Sequence, residues 1–309
     1  SDLMLRNRYA FLRTLHHRVK SYAELFHCEI CVRAACRKLV IHVWICTIKR
    51  RRNEVKMKEQ LYTIPLNDAF AANDECPFCF IEQKLEQDLL DFTLGSSSSY
   101  MESDIRDMTD KEGFCRYHFF KMFQYGNTLG NAWILKTHYK KINEEFASEV
   151  KKFKPAKLSF VDRLKRTKEI NNTMTAWTQQ KQCSCYICRQ YEDTYARYLD
   201  TFFFMYKKDP AFIQKLENSK GFCLVHFGDL CQGAVEKLNQ KQCDEFFAKI
   251  FPLMQANLKR IEEDVSWMVE KFDYRNADAD WKNSKDAIQR GMQKMKGGYP
   301  AAPVYQQKK

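Results

Sequence analysis

Two phrases in the chain place thiols and imidazoles at ligand spacing, and each occurs twice. Cys76 and Cys79 in "CPFC" are followed by Cys115 and His118 in "GFCRYH"; Cys185 and Cys188 in "CYIC" are followed by Cys223 and His226 in "GFCLVH". A two-residue gap lets both members of a pair reach one ion. Three thiolates and one imidazole make a tetrahedral zinc set, with sulfur at roughly 2.3 Å and nitrogen at roughly 2.0–2.1 Å. Four such ligands leave no open position for water, which points to a structural ion and not a catalytic one. The Gly before Phe-Cys permits a tight turn. A Cys that opens a helix is readily ionised, which favours ligation. Beyond residue 56 the His are His118, His138 and His226, and two of these three follow a Cys of the repeated phrase.

From the second Cys of each pair to the next motif Cys is 36 residues in the first half and 35 in the second. Matched spacing with the same punctuation at both ends indicates internal duplication. It predicts a clasp closed within each half, so that two zinc ions bind per chain. A crossed arrangement, in which the CxxC of one half meets the CxxH of the other, uses the same residues and stays open at this point. An iron–sulfur cluster is the alternative cofactor for the same thiols. A redox role is the rival function, although CxxC in thioredoxin-like proteins accompanies a βαβ pattern that is not evident here. Cys183 reads as a bystander thiol or a spare ligand, Cys231 and Cys243 as core, and His138 as part of an ordinary helix face. The chain lacks the phosphate-loop, H-E-x-x-H and G-x-S-x-G patterns. Its carboxylates show no acid–base pairing, so a non-enzymatic role is favoured.

The elements that must position these groups read as helices. Leu85, Leu89 and Phe92 recur at helical spacing after the first pair, and Tyr191, Tyr195, Tyr198 and Phe202 after the second. The longest stripe runs Phe247, Ile250, Met254, Leu258, Ile261, Val265, Met268, Phe272, with a kink or break expected at Pro252. Alternation of the kind that marks strands is nearly absent. "GSSSSY" at 95–100 reads as a flexible loop, "KKFKPAK" at 151–157 as the separator of the halves, and "DWKNSKDAIQRGMQKMK" as a short basic amphipathic helix docked on the body. The fold class predicted is all-α, with two duplicated helical units that each carry a Cys3His metal site. The organisation expected is a basic leader at 1–56, repeat one at 57–155, repeat two at 156–275, and a short helix with a disordered tail at 276–309. Residues 1–56 read as a non-native upstream translation or a disordered basic leader, with Met57 as the native start, and "CEIC" at 28–31 with Cys36 and His42 as a weaker third half-site.

Composition bounds the function class. With 45% hydrophobic residues, 10 Gly and 7 Pro in 309 residues, the chain can bury a sizeable core. The net charge of +12 is concentrated at the ends: residues 1–56 hold 13 Lys+Arg against 4 Asp+Glu, and 276–309 hold 7 against 3, whereas 57–275 hold 31 against 32. A nucleic-acid domain carries its basic face within the folded body, so nucleic acid is not the expected partner; an unknown protein or small ligand is. No apolar run reaches the roughly 18 residues of a membrane span, and no signal peptide is evident. Clustered Cys pairs in a cytoplasmic protein read as metal sites before disulfides.

"MKEQLYTIPLNDAF", "CPFC", "YMESDIR", "GFCRYH" and "LGNAW" together resemble an uncharacterised domain-of-unknown-function family of clostridial and related bacteria, over about residues 57–275. The resemblance implies a bacterial, cytoplasmic protein, and it implies no reaction.

Overall fold

The computed structural model describes residues 55–95, 99–154 and 173–301. The leader up to residue 54, with its CEIC half-site, lies outside the described residues. Among the described residues there are eleven α-helices and no strand: α1 (Val55–Ala71), α2 (Pro77–Leu94), α3 (Ser103–Glu112), α4 (Arg116–Tyr125), α5 (Thr128–Lys152), α6 (Thr173–Cys183), α7 (Tyr186–Lys208), α8 (Pro210–Glu217), α9 (Leu224–Lys237), α10 (Gln240–Glu270) and α11 (Ala287–Lys296). The all-α expectation holds, and so do two Cys3His groups.

Local chemistry sets the helix ends. Asp209 caps α8 through its carboxylate, with Pro210 at the first helical position. Asn239 and Gln242 form a reciprocal capping box on α10. Gly113 and Gly221, at φ 64° and 73°, make the left-handed turns that end one element and start the next. His138 packs on the first of these: a Cβ on Gly113 would meet its ring at 2.8 Å, and its Nδ1 lies 3.0 Å from the Asp110 carbonyl.

The helices pack into two apolar clusters, and each draws on both halves of the sequence. The larger holds Leu66, Phe70, Phe78 and Leu85 from the first half with Phe202, Phe212, Phe222, Phe246 and Ile250 from the second. Phe202 sits at its centre, with ring contacts to Phe70, Phe78, Phe203, Phe212, Phe222 and Phe246 at 5.1–6.4 Å. The smaller combines Leu90, Leu94, Phe114, Met122 and Ile134 with Tyr186 and Ile187. Cys231 is half-buried and Cys243 is buried.

Three local expectations differ from the structure. Of the kink or break expected at Pro252, the break is absent: one helix runs from Gln240 to Glu270 with Pro252 inside it. Proline removes one hydrogen bond, at a cost of about 3 kcal/mol. Phe246 and Ile250 before it and Met254 and Ile261 after it are all buried, and this packing on both sides holds the helix together. The serine loop is ordered at its end: Ser99–Met101 form a 3₁₀ turn with Tyr100 buried. The basic amphipathic helix does dock on the body, as α11, but by its polar side. Gln293 and Lys294 are buried, while Ile288, Met292 and Met295 face solvent.

Phe202→Ala removes a fully buried ring from the centre of the larger cluster. It is expected to lower the unfolding free energy in urea by about 3–5 kcal/mol, whereas Phe123→Ala, at an exposed site, is expected to change it by no more than about 0.5 kcal/mol.

Candidate metal centres

Each motif builds the same local unit. Cys76, Cys115, Cys185 and Cys223 are the N-cap residues of α2, α4, α7 and α9, so the second ligand of each CxxC or CxxH falls in the first helical turn. The Cys185 and Cys223 sulfurs also accept the backbone N–H of Cys188 and His226, each at 3.4 Å. Four helix N-termini therefore present thiols where partial positive charge favours a thiolate.

These units meet in crossed pairs. Cys76, Cys79, Cys223 and His226 form the first centre; Cys115, His118, Cys185 and Cys188 form the second. All eight residues picked from the sequence are brought together, and the question left open by the spacing is settled for crossing: each CxxC meets the CxxH of the other half. After Cys79 the chain follows α2, and Glu86, about 10 Å further along that helix, already borders His118 of the second centre. Cys115 and His118 meet the CxxC that opens α7. A backbone hydrogen bond from Tyr186 N–H to the Gly113 carbonyl (2.9 Å) joins the halves there.

In the first centre His226 Nδ1 lies 3.3, 3.6 and 3.2 Å from the sulfurs of Cys76, Cys79 and Cys223. In the second, His118 Nδ1 lies 3.3, 3.2 and 3.3 Å from those of Cys115, Cys185 and Cys188, and the Cys115 and Cys188 sulfurs are 3.8 Å apart. One tetrahedral ion with the bond lengths given above sets N···S at about 3.6 Å and S···S at about 3.8 Å. The donor set and its spacing fit a single metal ion in each centre. The nine Cys of the described residues form no disulfide.

Residues 57–302 match the Family of unknown function (DUF6062). The chain belongs to this family. No curated protein and no solved structure matches it. The DUF6062 match extends past residue 275, where the sequence resemblance ended, and so includes α11.

Behind the ligands stands a layer of groups that the motifs did not reveal. Both carboxylates that back the imidazoles lie on α2. Glu86 Oε1 is 3.3 Å from His118 Nε2, and Glu82 Oε2 is 3.7 Å from His226 Nε2. Such a contact on the outer nitrogen orients the ring so that Nδ1 faces the ion. Cys79, Glu82 and Glu86 succeed one another by a helical turn, which is the signal that could have found them. The protein groups by themselves settle into thiolate against imidazolium. Burial works against a charged His118, but Cys115, Cys185 and Glu86 outweigh it and raise its pKa to about 10. Contacts with Cys185 and Cys188, and with His118, hold the Cys115 thiol far below its ordinary value. Cys223 is lowered in the same way by Cys76, Cys79 and His226.

The two centres differ around this plan. The CxxC motifs are 109 residues apart and the CxxH motifs 108, so Glu82 corresponds to Tyr191, Glu86 to Tyr195 and Lys121 to Asp229. Glu86 contacts His118 and pairs with Lys121. At the matching place Tyr195 stacks beside His226 at 5.6 Å and donates to Asp229 at 2.9 Å. The hydroxyl of Tyr191 donates to its own counterpart, Glu82, at 3.0 Å.

The first centre also has an ionic support. Lys294 is buried and donates to the carbonyls of Glu75 (2.6 Å) and Lys220 (2.5 Å), with Glu75 Oε2 at 3.2 Å. Arg260 reaches the same carboxylate at 2.5 Å. Burial opposes ionisation of Glu75, but Arg260 and Lys294 outweigh it and hold the carboxyl below its ordinary range. A depressed carboxylate adds stability above its unfolded pKa, and that stability is lost as pH falls through the folded value. Glu75→Gln is therefore expected to destabilise by about 3–5 kcal/mol at neutral pH, because it leaves Lys294 buried without its counter-charge. Urea titrations at a series of pH values should show the gap between variant and wild type closing as pH falls below the ordinary carboxylate range.

Proposed function

We propose that each centre binds one zinc ion as a structural clasp. On this reading the chain is a non-enzymatic binding or scaffold protein whose helical faces meet another protein or a small ligand. The observation that carries it is that in each centre one imidazole nitrogen lies 3.2–3.6 Å from all three sulfurs, close to the edges of a tetrahedron around one ion. The ligands of an iron–sulfur cluster are spread over two or more irons, so one imidazole nitrogen within 3.6 Å of all three sulfurs in each centre favours a single ion. Soft thiolates select zinc over magnesium or calcium. The ion takes the place of a hydrogen-bonded proton set that would otherwise have to satisfy six thiols, and it ties two sequence halves into one body.

The proposal assigns Cys76, Cys79, Cys223 and His226 to one ion and Cys115, His118, Cys185 and Cys188 to the other. It treats 57–155 and 156–275 as the two repeats and places the protein in the bacterial cytoplasm, where thiols stay reduced. No helix among the described residues is long and apolar enough to cross a membrane. The near-neutral charge of the body makes nucleic acid a poor partner. A redox or metal-handling role is the second reading, and the half-buried Cys115 and Cys188 favour it at the second centre.

Metal analysis of the purified protein is expected to give two zinc ions per chain, with loss of helix on chelation; a brown chromophore containing iron and sulfide would overturn the zinc assignment. Ligand thiols must be deprotonated to bind, so zinc occupancy is expected to fall as pH falls, with protons taken up as zinc leaves. Glu86→Ala is expected to weaken one of the two ions by about 10–100-fold in a competitive chelator titration and to leave the other unchanged.

A further inference from the structure

We propose that the two centres differ in exchange: the first is sealed beneath the C-terminal segment, and the second is the site at which metal enters and leaves. The inference rests on the zinc reading above.

Cys76, Cys79 and Cys223 are fully buried, whereas Cys115 and Cys188 are only half-buried. The seal over the first centre is visible in the chain path. Gly297 turns at φ 76° directly against the ligands, so that a Cβ there would lie 3.4 Å from the Cys223 sulfur and 3.5 Å from that of Cys79. The turn is pinned on both sides to the strand of chain that delivers Cys76. Gln293 Nε2 donates to Asp74 Oδ1 (2.7 Å), which also accepts the Cys76 N–H (2.9 Å), and the Tyr299 hydroxyl donates to Asp74 Oδ2 (2.9 Å). Lys294, one turn before Gly297, is locked between two carbonyls and Glu75.

A closed four-coordinate ion exchanges when a further soft donor, a thiolate or a multidentate chelator, reaches it past the ligands; each displaced thiolate then takes up a proton. At the first centre that approach requires α11 and the Gly297 turn to undock, which exposes Lys294 and breaks the Asp74 contacts. At the second centre Cys115 and Cys188 are only partly buried, so an incoming donor meets less cover there. The chemical class served by the second centre is therefore a free divalent ion or a soft-donor chelator that accepts it.

The test uses the full chain loaded with zinc and counted by metal analysis, then mixed with excess coloured chelator under native conditions, with pulses of a thiol alkylator mapped by mass spectrometry. One equivalent is expected to leave faster than the other by a factor of about ten or more, the difference between local opening and undocking of a buried segment. Cys115, Cys185 and Cys188 should become alkylated with that first equivalent, and Cys76, Cys79 and Cys223 only with the second. Tyr299→Phe is expected to accelerate the slow phase alone. Release of both equivalents at one rate, or first labelling at Cys76, Cys79 or Cys223, overturns the inference while leaving the zinc assignment standing. Fewer than two zinc ions at the outset overturns that assignment and the inference with it.

Discussion

Six thiols and two imidazoles are gathered into the body of this protein, largely away from water, and the surrounding structure is arranged around that constraint. A buried thiolate without compensation is costly. Compensation comes from three directions: helix N-termini aimed at the sulfurs, imidazoles oriented by carboxylates on α2, and a coordination sphere with the dimensions of a single cation. Helix α2 is the common strut. It carries Cys79 at its start, Glu82 behind His226 and Glu86 behind His118, so one rigid element fixes the orientation of an imidazole in each centre. Helix α7 returns the favour with Cys188 at one end and Tyr195 beside His226 further along.

Crossing has consequences for folding. Neither half holds a complete ligand set, and the first centre joins residues 147 and 150 positions apart. Contacts of that separation form late and slowly. Both apolar clusters also mix the halves, so metal, core and interface are the same interaction seen at different points. The two centres are not alike. Glu86 pairs with Lys121, whereas Tyr195 and Asp229 stand at the matching positions, and the Gly297 turn after α11 lies against the first centre.

Much of this was legible in the sequence, because ligand chemistry and helical periodicity are local. The eight clustered Cys and His, the all-α class and the repeated motif follow from Cys and His spacing and from stripes such as Tyr191, Tyr195 and Tyr198. Pairing was not legible. A gap of 36 or 35 residues looks like a local clasp, and nothing in the spacing records that each CxxC is set against the CxxH of the other half. Pro252 does not break its helix: its local penalty is real, but the helix is buried on both sides of it. The role of α11 was hidden because Lys294 and Gln293 face inward, against the usual reading of an amphipathic helix. Tyr299, within the segment expected to be a disordered tail, engages Asp74 through a hydrogen bond that no periodicity records. Glu75, Glu82 and Glu86 are ordinary acidic positions in sequence and acquire meaning only beside a lysine or an imidazole from a distant element.

The most direct measurement is the number of zinc ions held by two double variants, Cys76→Ser with Cys223→Ser and Cys76→Ser with Cys115→Ser. If each centre is built across the halves, the first variant damages one centre and retains one ion per chain, and the second damages both and retains none. The reverse result, with one ion left in the Cys76/Cys115 variant and none in the Cys76/Cys223 variant, would show clasps closed within each half and would contradict the crossed architecture.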